Sequence, residues 1–152
     1  MYGVIVVGTD GSETAGVAVR HAAGLAKLTG ATLHLVLAYQ AVSMGNLALA
    51  GTLPAWTEDI EGVNESIAAA SELVCSHAAA EALQNGVEVK THVLAGDPAD
   101  LIVTVAEDVH ADLVVVGNRG MTGVRRFVLG SVPNKVSHRC PCSLLIVNTT
   151  SS

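Results

Sequence analysis

The sequence predicts an α/β domain in which a five-stranded parallel sheet is covered by crossover helices. Three observations carry that prediction. Short β-branched runs alternate with longer helical patterns along the 152 residues, the order that builds a parallel sheet. The run Leu113 to Val116 is apolar on both faces, as a central strand must be. Half of the chain is apolar, enough to bury a core without disulfides or metals.

Val4 to Thr9 reads as a buried strand ending in Asp10-Gly11-Ser12. Ser12 then caps a helix with Ala15, Ala18, Val19, Ala22, Leu25 and Ala26 on its inner face, and Gly30 stops it. Ala31 to Ala38 is the second strand. Tyr39 to about Asp59 has no clear period and contains Gly45, Gly51 and Pro54, so it reads as a variable loop or lid. A long alanine-rich helix from about Gly62 to Asn85 carries Ile67, Ala70, Val74 and Ala78 along one stripe. Val87 to Leu94 alternates as an edge strand does. Gly96-Asp97-Pro98 starts the next helix, with Asp97 as cap and Pro98 in the first turn. After the strand Leu113 to Val116 come a loop from Gly117 to Gly130, a short helix Ser131 to Arg139 and a last strand Ser143 to Val147. Four helices result. One domain is expected over residues 1–148, with Thr149 to Ser152 as a frayed tail.

Composition narrows the function. With 3% aromatic residues and a net charge of −6, the chain lacks the stacking and phosphate-neutralising surface of a nucleic-acid binder. No apolar run approaches the roughly 20 residues of a membrane span, and no basic leader is evident, so a soluble cytoplasmic protein is expected. Cys75, Cys140 and Cys142 are odd in number and read as reduced thiols; Cys140, Cys142 and His138 do not complete a zinc set. All 14 acids lie at or before Asp112, whereas Arg119, Arg125, Arg126, Lys135 and Arg139 follow it. That split suggests a local anion site, although a helix and loop that are merely basic would give it too.

The informative segment is the loop between the central strand and the short helix, where open α/β sheets bind ligands. Glycine allows close approach of backbone to ligand, and the free N–H groups after Gly130 form an anion site at a helix start. The loop has no Walker lysine and no Gly-x-Gly-x-x-Gly. On the residues alone its glycines are also compatible with simple turns.

The spacing Gly117-x2-Gly120-x9-Gly130-Ser131 resembles the nucleotide-binding pattern Gly-x2-Gly-x9-Gly-Ser/Thr of the universal stress protein family. The strand end Gly8-Thr9-Asp10-Gly11-Ser12, the Gly96-Asp97-Pro98 helix start and the passage through Pro141-Cys142 into an apolar strand agree with it. The resemblance implies strand order 3-2-1-4-5 with two helices on each face. It further implies that Asp10 accepts from the ribose hydroxyls, that Ala38 offers backbone groups to adenine, and that Val116 and Gly117 line base and sugar. Backbone N–H groups of Gly120, Gly130, Ser131 and Val132, with the Ser131 hydroxyl, would hold phosphates, and magnesium would arrive on those phosphates. Gly8 and Thr9 complete the wall. Gly8 stands where many ATP-binding members carry proline, which implies a wall that is looser or nearer to the ligand, and Pro133 removes one donor from the first helical turn. The choice among ATP, ADP, AMP and cyclic AMP stays open.

Other residues have competing readings. Asp10 is a ribose ligand or a helix-entry residue in an Asx turn. Arg119 pairs with phosphate oxygens or is a solvated charge, and Arg125 and Arg126 read as solvated. His34 reads as a packed or edge histidine, and Tyr39 and Trp56 as pins for the variable segment. No catalytic residue or metal ligand stands out. The expected function is an adenine-nucleotide sensor with at most slow hydrolysis. A cyclic AMP-binding protein, a magnesium-dependent ATPase or nucleotidyl-transfer enzyme using Arg119, and a nucleotide-free interaction protein are the alternatives. The implied topology leaves Ser143 to Val147 at a sheet edge, where antiparallel pairing in a homodimer would cover it.

Overall fold

The computed structural model describes residues 1–51, 59–119 and 128–150. The elements are β1 (Val4–Thr9), α1 (Glu13–Thr29), β2 (Thr32–Tyr39), α2 (Met44–Leu49), α3 (Ile60–Gln84), β3 (Val89–Ala95), α4 (Pro98–Asp108), β4 (Leu113–Gly117), α5 (Ser131–Arg139) and β5 (Ser143–Val147). The five strands form one parallel sheet in the order β3-β2-β1-β4-β5. Strand order and strand count are those expected.

Alternation along the strands sorts the core into two layers. Ile5, Val7, Leu33, Leu35, Leu113 and Val115 pack against α1 and α3. Val6, Val36, Val114 and Val116 face α4 and α5. β1 and β4 contribute to both layers because both of their faces are covered, which explains their unbroken apolar runs.

Three readings need correction. The segment after β2 is not all loop: Ser43 caps the short α2, a fifth helix with no buried residue. Asn64 of α3 then binds it, accepting from Val42 N–H at 2.7 Å and donating to Val42 C=O at 2.9 Å. The buried stripe of α3 is Cys75, Ala79 and Ala82, whereas Val74 is 41% exposed. An alanine-rich helix has too little contrast around its circumference for its inner face to be read from period alone. Finally, Thr149 is buried rather than frayed, and its N–H and hydroxyl both donate to Asn118 at 2.9 Å. Residues 151 and 152 lie outside the described residues.

The termini of the sheet are fixed by polar contacts. Asp112, just before β4, accepts from the N–H groups of Gly3 and Val4 at 2.8 and 3.0 Å, which holds its carboxyl below the usual range. No helix among the described residues is long and apolar enough to cross a membrane.

Candidate functional site

In this strand order the chain steps outward from β1 through β2 to β3, then returns to place β4 on the other side of β1. The crossovers therefore diverge between β1 and β4, and a crevice opens beyond their carboxyl ends. A cleft of about 260 Å³ lies there. β1 and its turn supply Gly8, Thr9 and Asp10; β2 supplies Val36 and Ala38; β4 and the residues after it supply Val116, Gly117 and Arg119; α5 and its cap supply Gly130, Ser131 and Val132. Every residue singled out as a ligand contact lines this one cleft except Gly120, which lies outside the described residues together with Arg125, Arg126 and Trp56. Tyr39 does not line it and faces α2 and α3 instead.

Ala15, Pro98, Ile102 and Pro133 complete the lining and were not foreseen as contacts. Ile102 revises the reading of Gly8. A Cβ on Gly8 would stand 2.5 Å from Ile102 Cδ1, so the isoleucine of α4 occupies the space that glycine vacates. Ile102 thus packs against Gly8 and itself lines the cleft. The signal was available only as the glycine itself, because its partner is 94 residues away and on another element.

The turn after β1 is locked by its own side chains. Asp10 Oδ1 accepts from Ser12 N–H at 2.9 Å and from the Ser12 hydroxyl, while Ser12 Oγ accepts from Ala15 N–H to cap α1. Thr9 Oγ1 accepts from Gly11 N–H at 3.1 Å. The two readings of Asp10 are thus compatible: the described bonds use Oδ1, and the residue is exposed at the cleft.

The opposite end is made of backbone. Gly130 caps α5 with no side-chain cap bond, and Asn134 N–H makes the first intrahelical bond to Gly130 C=O. Ser131 and Val132 occupy the first two helical positions, whose N–H groups have no intrahelical acceptor. Pro133, the third, has no N–H to offer. Ordered donors on a helix start, reinforced by the helix dipole, suit an anion.

The basic C-terminal part is less free than its charge count suggests. Lys135 pairs with Asp97 at 3.2 Å and Arg139 pairs with Asp100, tying α5 to the start of α4. Arg119 is the remaining described cation of that part and is the one that lines the cleft. Among the described residues no three side chains are grouped to hold a metal ion. All three cysteines are free thiols, and burial, with Cys140 alongside, pushes Cys142 up to about 11.

A sequence profile of the universal stress protein family matches residues 1–148. The chain belongs to this family. Among universal stress proteins, Rv1636 of Mycobacterium tuberculosis is 35% identical over 151 residues, covering 98% of both chains. MJ0531 of Methanocaldococcus jannaschii is 32% identical over 147 residues, covering 97% of this chain and 82% of its own. A solved universal stress protein in complex with cAMP is 31% identical, with a TM-score of 0.69 and 98% of each chain covered. The β1/β4 crevice is therefore a feature of a chain that belongs to the universal stress protein family.

Proposed function

We propose that this universal stress protein is a binding module for an adenine nucleotide, held in the β1/β4 cleft. The observation that carries this reading is what lines the cleft: the Asp10 carboxylate, the start of α5 with N–H groups that lack an intrahelical acceptor, and an apolar floor of Val36, Ile102 and Val116. Such an arrangement matches a molecule with hydroxyls at one side and anionic oxygens at the other. Under this reading Asp10 accepts from the ribose hydroxyls and the Ala38 backbone meets the adenine edge. Val116 and Gly117 flank base and sugar, and Gly130, Ser131 and Val132 hold the phosphates. Magnesium would be carried by those phosphates, since Asp10 is the one carboxylate among the described lining residues.

The reading is of a sensor with at most slow hydrolysis. In-line attack on a terminal phosphate needs a group that orients water, and the segment from Gly117 to Gly130 contains no acid. Cyclic AMP is a second reading, with two supports: Pro133 leaves fewer donors for a long phosphate chain, and the cAMP complex is of a relative 31% identical. Calorimetric titration with ATP and with cyclic AMP, each with and without magnesium, separates them. ATP binding that tightens with magnesium supports a triphosphate site; tighter cyclic AMP binding makes the protein a cyclic-nucleotide sensor. Absence of binding by either, to protein freed of carried-over nucleotide, sinks the proposal.

The proposal extends to a homodimer through β5. This strand ends the sheet, and Leu144, Leu145 and Ile146 remain partly exposed along it. Leu145→Lys is expected to shift the protein to monomer in sedimentation, and a variant that stays dimeric refutes this interface.

A further inference from the structure

We propose that Asn118 is a positioning residue for phosphate recognition, acting through a clamp that joins the two ends of the glycine loop to the segment after β5. The proposal rests on the nucleotide reading above. Four groups of one residue carry it. Asn118 N–H donates to Val147 C=O at 2.9 Å, and Asn118 C=O accepts from Gly130 N–H at 2.9 Å. Its side-chain Oδ1 accepts from both Thr149 N–H and Thr149 hydroxyl at 2.9 Å, and its Nδ2 reaches Asn148 Oδ1 at 3.4 Å. Two donors facing Oδ1 fix the orientation of the carboxamide.

The clamp gives two of the motif glycines a role apart from ligand approach. A Cβ on Gly117 would lie 3.0 Å from Thr149 Cγ2, and one on Gly130 would lie 3.2 Å from Asn118 O. Both contacts are tighter than a side chain accepts without displacement. Glycine at these positions lets Thr149 close over one end of the loop and lets the carbonyl of Asn118 back onto the other. The spacing Gly117 to Gly130 is thus also the spacing of a mechanical closure. Its product is a fixed α5 start: Gly130 is held by its own N–H, so the next N–H groups, those of Ser131 and Val132, are aimed before any anion arrives. Preorganised donors avoid the ordering cost that a loose loop would pay on binding.

The test compares adenosine with magnesium-ATP, titrated into the full-length protein and into Asn118→Ala, Thr149→Val and Thr149→Ser. Asn118→Ala is expected to weaken ATP about tenfold or more while adenosine stays within about twofold, because only the phosphate end loses its anchor. Thr149→Val, which loses the hydroxyl donor and keeps the N–H, falls between; Thr149→Ser keeps both donors and restores the native preference. If Asn118→Ala does not fold, the two threonine variants decide. Equal ATP affinity in native protein and folded Asn118→Ala or Thr149→Val overturns the positioning role, as does an equal loss of adenosine and ATP. If the native protein binds neither ligand, the nucleotide reading itself falls and takes this one with it.

Discussion

The two turns that border the cleft solve the same problem in opposite ways. After β1 the chain passes to α1 through Asp10, Gly11 and Ser12 alone, and hydroxyl and carboxylate side chains of that stretch tie the turn to itself. After β4 the described ends of the stretch Gly117 to Gly130 are joined by backbone groups and by a side chain reaching 31 residues along the sequence. A turn held by local side chains is rigid on its own and fails locally. A loop held by distant contacts depends on the rest of the fold, and its failure is felt at α5. Under the nucleotide proposal, the turn after β1 meets one part of the ligand and the α5 start another.

The largest effect is expected from breaking the short turn outright. Gly11 has φ of 80°, and a Cβ there would lie 2.4 Å from Val74 Cγ1. Gly11→Val should cost about 2–4 kcal/mol of stability in urea unfolding, through backbone strain and overpacking together; a loss below about 1 kcal/mol would show that the turn is not rigid. Next comes the exchange that sharpens the comparison. Asp10→Ala should weaken adenosine and ATP alike by about tenfold, whereas Ser131→Ala should weaken ATP a few-fold and leave adenosine untouched. Titration of both ligands against both variants checks the pair, and parallel losses in the two variants would erase the division of labour.

A smaller effect arises between β2 and β3. His34 on β2 and His92 on β3 stack at 5.2 Å, with Nδ1 and Nε2 2.9 Å apart, and His34 is 6% exposed. Burial lowers His34 first, followed by His92 and Lys90, against an opposing Glu88; burial also lowers His92, with Asp108 opposing and Lys90 assisting. Both folded values lie below the ordinary 6.5, so the unfolded chain binds more protons. The stabilisation is therefore full above pH 6.5 and is lost as pH falls from there through the folded values. Unfolding midpoints measured from pH 8 to 5 should decline more steeply in the native protein than in a His34→Gln, His92→Gln double variant. Smallest of all is Lys135→Ala, which removes a solvent-exposed ion pair with Asp97 and should cost well under about 1 kcal/mol. Its loss should vanish in high salt.

How much of this was legible follows the same division between local and distant causes. The strand order came from resemblance, while the bounds of α5 and β5 read from the sequence are those found. Ser12 and Asp97 were readable as caps since their partners lie three residues on. Asn118, Thr149 and Ile102 were not, because each owes its role to a residue brought near by the sheet. Thr149 sits in the polar string Asn-Thr-Thr-Ser-Ser, which reads as a solvated end until Asn118 is placed beside it. His34 and His92 became a pair only through the β2–β3 register, which sets Val36 against His92 and His34 against Lys90.

The start of α5 offers peptide N–H groups where many anion sites offer lysine or arginine heads. Peptide groups neither titrate nor accept acetyl or methyl marks, and they persist when the residue bearing them is replaced. A cleft end built this way is indifferent to most substitution so long as Gly130 stays small and the helix begins where it does. Under the nucleotide proposal, such a cradle depends on the backbone's course, with selectivity left to the few side chains around it.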